Sequence, residues 1–364
     1  MDGRSPRVLH VSQPVDAGVA EVVAQLALDQ RDRGWDVRVA CPPGPLAERL
    51  ARGGVPVEPW AASRGPGRST PAEARALARV VGRVGPDLVH LHSAKAGLAG
   101  RLAVRGRIPT LFQPHAWSFD AVTGPVAAAA RAWERGASRW TDRLIAVSDA
   151  ELAAGRAAGV TTPAMVVPNG VDTDRFAPHP GPVADGVPTV LCLGRVTRQK
   201  GQDLLLKAWP WVRTAVPAAR LVLVGDGPQR AAWSAGTDGS VRWESATSDP
   251  RRWYLDADVV VLPSRWEGMP LVALEAMACG RPVVGFDVTG VAEAIGDGGT
   301  VVPAGDVRAL ADAVVARLRP DGPAGAEAQR ARIRAVTYFD RRRSAERVAD
   351  VITTVLSSSE SHRW

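Results

Sequence analysis

Five consecutive residues, Val259-Val260-Val261-Leu262-Pro263, are apolar and run directly into Ser264-Arg265-Trp266-Glu267-Gly268-Met269-Pro270 and the helical pattern Leu271 to Gly280. An apolar run with no polar alternation reads as a strand buried on both faces, which requires helices above and below a parallel sheet. Pro270 suits the first helical position, and Gly280 suits the residue just past the helix end. Leu271, Leu274, Glu275 and Ala278 stand at i, i+3, i+4 and i+7, so one face is predicted to carry a carboxylate among apolar side chains. An unpartnered charge there is costly to bury. Glu267 stands on the carboxyl side of the strand, where open α/β sheets bind their ligands. These two acids mark the candidate site.

The same alternation runs through the chain. Arg7–Ser12, a helix with apolar positions Val19, Val22, Val23 and Leu26, and Val37–Ala40 form one β-α-β unit. Strand-like pieces follow at Val55–Val57, Leu88–His92, Thr110–Phe112 and Leu144–Val147, and Arg64–Ser69 reads as a flexible loop. After the turn at Asn169-Gly170 and a Pro/Gly-rich stretch from Pro178 to Pro188, the pattern restarts with Thr189–Gly194, Leu221–Gly225, the opening stretch and Pro282–Gly285. At 364 residues, two domains are expected. Their predicted bounds are 1–175 and 176–335, followed by a basic helix over 336–356 and a polar tail over 357–364.

Cys41, Cys192 and Cys279 lie far apart among apolar neighbours, and no apolar run approaches the roughly 18 residues of a membrane helix. Met1–Arg7 contains no apolar leader segment, and together these features set the expectation of a cytoplasmic protein with reduced thiols. The net charge of +7, from 45 basic and 38 acidic residues, suggests an anionic partner. No recognisable nucleic-acid-binding motif accompanies it, so nucleic acid is not expected.

Gly194-Arg195-Val196-Thr197-Arg198-Gln199-Lys200-Gly201 follows a strand and precedes a helix. Arg195 and Lys200 are there two cations beside backbone N–H groups, which is either a diphosphate cradle or a solvated basic loop. Glu275 needs a polar partner, either a ribose diol or an arginine such as Arg281. The N–H groups of Gly268, Met269 and Leu271, with Pro270, favour anions or sugar oxygens. No metal is expected. Asp256-Ala257-Asp258 precedes the buried strand, at the end opposite the binding edge, and His90 and His92 share a strand face without a third ligand pattern.

Taken together, S-x-x-E-G-x-P-L-x-x-L-E-A-M-A-x-G-x-P-V-V, G-R-x-x-x-x-K-G, P-N-G-V-D and V-G-D-G-P resemble the family 4 retaining glycosyltransferases over nearly the whole chain. The resemblance implies the GT-B fold: two Rossmann-like doubly wound parallel-sheet domains facing a cleft, with a C-terminal helix crossing back to the first. It implies that Arg195 and Lys200 hold the diphosphate of a nucleotide-sugar donor, Glu275 the ribose, and Glu267 the sugar ring near its 3- and 4-hydroxyls. Gly194, Gly268, Met269, Pro270 and Leu271 join them as donor-binding positions. The family's glycine loop falls at Ala17-Gly18-Val19, with alanine at the first glycine, and its sugar-facing histidine falls at His115. Val241-Arg242-Trp243-Glu244-Ser245 departs from the Phe-Leu-Gly-like end usual near the base, so uridine is the default and guanosine and thymidine stay open.

No other cofactor is implied, and a front-face retaining transfer without metal is expected. The neighbourhoods of Lys95 and His115 resemble the subgroup that builds lipid-linked or exported polysaccharides, which implies a carbohydrate or lipid-linked acceptor. Arg131, Arg135 and Arg139 form an i, i+4, i+8 stripe with Trp133 and Trp140 nearby. That stripe is either a solvated helix face or an interfacial helix in peripheral contact with anionic lipid. A nucleotide-sugar epimerase of the same fold and a non-catalytic binding protein are the alternatives. The intact set Arg195, Lys200, Glu267 and Glu275 disfavours both.

Overall fold

A computed structural model describes residues 5–179 and 186–361. The chain divides into two compact units, Met1–Asn169 with Arg342–Trp364, and Gly170–Arg341. The first contains β1 (Arg7–Ser12), β2 (Asp36–Cys41), β3 (Val57–Pro59), β4 (Leu88–His92), β5 (Thr110–Gln113), β6 (Arg143–Ala146) and β7 (Ala164–Val166) in the order β3-β2-β1-β4-β5-β6-β7. The second contains β8 (Thr189–Leu193), β9 (Arg220–Val224), β10 (Val241–Glu244), β11 (Val259–Leu262), β12 (Val283–Phe286) and β13 (Gly299–Val302) in the order β10-β9-β8-β11-β12-β13. All strand pairings among the described residues are parallel, as the apolar runs predict. β4 and β11 are buried along their whole length because helices pack on both faces.

In each unit the strand order reverses at one place, between β1 and β4 and between β8 and β11. Loops leaving the carboxyl ends of such a pair diverge to opposite faces and leave room for a ligand. Most candidate residues sit on these loops or at the start of the helices that follow them, Glu275 lies further along the helix after β11, and His115 follows the neighbouring strand β5.

The two units meet in sequence a few residues before the predicted boundary. Val171 forms a bridge with Asp340, and Arg341 N–H donates to Val171 O (2.9 Å), which draws 170–175 and the segment to Arg341 into the second unit. The basic helix predicted over 336–356 is interrupted at Phe339-Asp340, where the helix Ala324–Tyr338 ends and the helix Arg341–Ser361 begins. No Pro or Gly marks the break at Phe339-Asp340. It follows from the tertiary bridge to Val171 and from Thr173 Oγ1 donating to Asp340 Oδ2 (2.5 Å). The second helix belongs to the first unit, where Ser344 Oγ donates to Pro168 O (2.8 Å) and Arg347 to Val166 O (2.7 Å). It also covers 357–361 of the predicted polar tail, while 362–364 and the centre of the linker-like stretch, 180–185, lie outside the described residues.

Candidate active site

In the second unit, the loops after β8 and β11 are fastened to each other. Arg265 N–H donates to Gln199 O (2.7 Å), and Gln199 Nε2 donates to Trp266 O (3.1 Å). The Arg265 guanidinium grips Asp203 through two bonds, 2.9 and 2.7 Å. Burial raises the Asp203 pKa, but this bidentate partner outweighs it and holds the carboxyl below its usual range. Gly201, at φ +69°, stands where a Cβ would collide with the Pro263 carbonyl, so the close approach of the two loops requires glycine.

This fastening places Lys200 against Glu267. Lys200 Nζ donates to Glu267 Oε1 at 2.6 Å, and Ser264 Oγ donates to the same oxygen at 2.7 Å. Glu267 is 6% exposed, while the Lys200 side chain keeps 24%. The ammonium has three donors, so it can keep Glu267 and still reach an incoming anion. Gln202 Nε2 donates to Arg195 O (3.1 Å) and ties the segment Gly194-Arg195 to the helix Gln202–Ala215. Gly194 and Arg195 are both half-buried. Ser264 stands in the S-x-x-E motif, so its position is legible in sequence although its role is not.

The helix after β11 starts at Leu271, with extended Pro270 as its N-cap rather than its first residue, and ends at Ala278 with Gly280 left-handed beyond it. Met269, Pro270 and Leu271 are buried, and Gly290 stands where a Cβ would collide with the Gly268 carbonyl. Glu275 is half-buried on this helix, and Tyr254 OH donates to its Oε2 at 2.6 Å. Burial and the neighbouring carboxylate both push the Tyr254 pKa well up, so the phenol keeps its proton as a donor. Arg281, the arginine considered as its partner, donates to Leu255 O (2.7 Å). At the departing strand end, Arg230 donates to Gly225 O (3.0 Å) and Glu244 O (2.9 Å), which closes the termini of β9 and β10 together.

In the first unit, β1 leads to the exposed segment Asp16-Ala17-Gly18 and the helix Ala17–Asp32. Ala17 has φ +59°, the left-handed conformation that glycine enters freely and alanine at a cost of roughly 1–2 kcal/mol. The alanine therefore adopts a glycine-type backbone at this position.

His115 is placed by a second unusual turn. His115 and Ala116 have φ of +56° and +102°, strained values for residues with a Cβ. Glu151, fully buried, holds the turn: Ala116 N–H donates to its Oε1 (2.6 Å), Val147 N–H to its Oε2 (2.7 Å), and Trp117 Nε1 to its carbonyl (2.7 Å). Backbone strain that the surrounding structure sustains in this way clusters at functional sites. The surrounding protein pushes the His115 pKa down to about 3 by desolvation. The ring, half-buried, is therefore neutral near pH 7.

His115 has company that the sequence did not reveal. Its Nε2 lies 3.2 Å from His92 Nδ1, His92 Nε2 lies 2.9 Å from His10 Nδ1, and His10 Nε2 lies 2.8 Å from Gln30 Oε1. The His90 ring lies tilted against His92, with centroids 4.0 Å apart and 34° between the planes. Parallel register puts His10 opposite His90, which makes it the third imidazole missing from the linear pattern. The nitrogens of His10, His90 and His92 lie within 4.8 Å of one another. Asp258, of the metal-like Asp256-Ala257-Asp258, accepts from Thr189 N–H (2.7 Å) at the opposite end of β8 from the loops.

Lys95 and Glu73 form a buried ion pair, and Lys95 also donates to Gly65 O (2.9 Å) and Thr70 Oγ1 (3.1 Å). The loop predicted to be flexible from its composition is therefore braced. The arginine stripe lies partly as predicted. Arg131 and Arg135 are exposed on the helix Gly124–Ala137, whose inner face buries Ala127, Glu134 and Ala137. Arg139, also exposed, belongs to a following 3-10 turn, Ser138–Trp140.

Comparison with known proteins gives this arrangement its context. Residues 17–175 match the model of "Glycosyltransferase Family 4" and residues 187–319 that of "Glycosyl transferases group 1". Phosphatidyl-myo-inositol mannosyltransferase of Mycobacterium leprae is 33% identical over 346 residues, 87% of this chain and 89% of the relative. GDP-mannose-dependent alpha-(1-6)-phosphatidylinositol monomannoside mannosyltransferase of Mycolicibacterium smegmatis is 40% identical over 173 residues, 41% of this chain and 45% of the relative. The crystal structure of Anabaena Alr3699/HepE in complex with UDP-glucose superposes with a TM-score of 0.83 at 22% identity, covering 96% of this chain and all of that one. With both halves of the chain matched and a relative aligned over nearly its full length, this chain belongs to family 4 of the glycosyltransferases and has their GT-B fold.

Proposed function

We propose that this enzyme transfers a hexosyl residue, with retention of configuration, from a nucleoside diphosphate sugar to a hydroxyl of a lipid-linked or growing glycan acceptor. The observation that carries the proposal is the Lys200–Glu267–Ser264 group beside the Arg195 loop at the switch point of the second sheet. It offers cations for a diphosphate and a carboxylate for sugar hydroxyls within one fastened structure.

In this reading the second unit holds the donor. Arg195 and Lys200 bind the diphosphate, with Gly194 and the segment Gly268, Met269, Pro270 and Leu271 supplying backbone contacts. Glu275, held by Tyr254, takes the ribose diol. Glu267 reads the sugar ring, its Oε1 already used by Lys200 and Ser264. The first unit serves the acceptor and the transferred sugar, through the segment at Gly18 and through His115. The anomeric C–O bond to the diphosphate breaks, and a new anomeric C–O bond forms to the acceptor oxygen on the same face. The acceptor proton passes to a phosphate oxygen of the leaving diphosphate. Arg195 and Lys200 stabilise the charge that develops there, a contribution that needs no reorganisation at the moment of reaction.

The names of the two mycobacterial relatives favour mannose as the sugar and a phosphoinositide-type lipid as the acceptor, and one of them names GDP-mannose as donor. That places guanosine ahead of the uridine default. No described helix is long and apolar enough to cross a membrane. Access to a lipid acceptor then falls to peripheral contact at the cytoplasmic leaflet, for which the exposed Arg131, Arg135 and Arg139 with Val126 (62% exposed) are suited.

The test is a panel of nucleotide sugars with the purified protein, following nucleoside diphosphate release with and without a phosphoinositide acceptor. Acceptor-stimulated release from GDP-mannose is expected. Interconversion of donors with no nucleotide release would replace the transferase reading with an epimerase. Flotation with anionic liposomes at low salt checks the membrane contact, which fails if the protein stays in the bottom fraction.

A further inference from the structure

We propose that Gln30, His10 and His92 are positioning residues that set the tautomer of His115 through a polarised hydrogen-bond chain, leaving His115 Nδ1 as a hydrogen-bond acceptor. The proposal rests on the reading of His115 as the group that meets the transferred sugar.

Each link of the chain constrains the next. Gln30, His10 and His92 are 0% exposed, so no bulk water competes for their polar atoms. Burial holds His10 down to about 4 and His92 well below its ordinary value, so both are neutral imidazoles with one N–H each. The Gln30 carbonyl Oε1 can only accept, so His10 carries its proton on Nε2 and donates at 2.8 Å. His10 Nδ1 is then a bare lone pair, and His92 Nε2–H donates to it at 2.9 Å. His92 Nδ1 is bare in turn, and His115 Nε2–H donates to it at 3.2 Å. The three bonds repeat one donor–acceptor sense, and the sequence ends with an unprotonated Nδ1 on the one ring of the chain that keeps solvent access.

The register explains how the chain arises. His10 on β1 and His92 on β4 belong to adjacent strands, with Ser12 opposite His92. Gln30 comes from the helix Ala17–Asp32, whose N-terminal end carries Gly18. One helix thus supplies both the Gly18 segment and the terminus of the chain. Reversing the Gln30 amide would reverse all three bonds and turn the outer nitrogen of His115 into a donor. The polarity at His115 is therefore decided three residues away.

The same nitrogens invite a rival interpretation as a divalent-cation site of His10, His90 and His92. His10 Nδ1 and His92 Nε2 already share one proton, and a metal would have to displace it. The hydrogen-bonded chain uses the observed contacts, and the metal site requires breaking one of them.

The experiment combines histidine 15N NMR with kinetics on the full chain. In the wild type, His10, His92 and His115 are expected as Nε2–H tautomers with unprotonated Nδ1. Gln30→Met removes the terminal acceptor. It is expected to mix the tautomers of all three rings and lower kcat about tenfold with donor KM unchanged, the effect of one lost hydrogen bond of about 1.4 kcal/mol. Gln30→Glu, whose buried carboxyl keeps a carbonyl oxygen as an acceptor for His10, is expected to retain the wild-type tautomer and rate. An Nδ1–H tautomer for His115, or an unchanged rate and spectrum in Gln30→Met, overturns the chain. So does one zinc per protein that survives dialysis against chelator and is lost in His10→Phe. If His115→Ala itself leaves kcat unchanged, the reading of His115 fails, and the tautomer measurement still decides the chain separately.

Discussion

The two sheets use their switch points in opposite ways. At the second, the candidate groups are charged and paired, Lys200 with Glu267, beside the fastening pair Arg265 and Asp203. At the first, the interior is a stack of neutral imidazoles whose protons are shared in sequence. On the proposed function, the difference follows from what each would meet. A diphosphate leaving group needs fixed positive charge, and a fixed charge needs a counter-ion while the ligand is away. A transferred sugar offers hydroxyls, which are matched by oriented neutral donors and acceptors, and a cation there would only add a desolvation cost. The first unit does own a buried ion pair, Lys95 with Glu73, but it braces the 63–70 loop.

Four substitutions or titrations press on that contrast. Lys200→Ala removes the acting charge and is expected to lower transfer by about 10²–10³-fold, the range for one preorganised group at developing charge. A loss below tenfold in a turnover assay would mean Lys200 serves Glu267 rather than the donor. Glu151→Ala leaves the Ala116 and Val147 N–H groups without their carboxylate and should cost about 3 kcal/mol in urea denaturation. It should also lower turnover by releasing the strained turn at His115. An unfolding midpoint equal to wild type would remove Glu151 from the account.

The brace can be titrated. Burial works against ionisation of Glu73, but the Lys95 contact and the Ser63 bonds outweigh it and hold its pKa down to about 2. A depressed carboxyl pKa contributes stability that is fully present above the ordinary value. It is lost as pH falls from there toward about 2, here about 1 kcal/mol after screening. Lys95→Met should flatten that acid limb while leaving nucleotide binding at pH 7 unchanged. The smallest effect is expected from Ala17→Gly. Relief of left-handed strain, roughly 1–2 kcal/mol, is partly offset by the extra freedom of the unfolded chain, so a net gain of about 0.5 kcal/mol is expected. A loss of stability would contradict the glycine-like role of that backbone.

What could be read from sequence followed the same division. Glu267, Glu275 and Lys200 were legible because the strand–loop–helix around them is local, and spacing along the chain is enough to place them at a strand end. The buried β11 and the parallel sheets were legible for the same reason. His10, Gln30, Glu151 and Tyr254 were not, because each acts on a residue at least 20 positions away through register or helix packing. The strain at His115 left no compositional trace, since the position lacks the glycine its backbone favours, and at Ala17 only the family's glycine loop pointed to it. The break at Phe339-Asp340 depends on the bridge to Val171, and the helical pattern runs on through it.

The division of labour itself is tested most directly by calorimetric titration of GDP into the wild type, Lys200→Ala and His115→Ala. If the charged unit alone holds the nucleotide, Lys200→Ala binds at least tenfold more weakly and His115→Ala binds as the wild type does, although its turnover is impaired. Equal weakening in both variants, or full binding by Lys200→Ala, would contradict it.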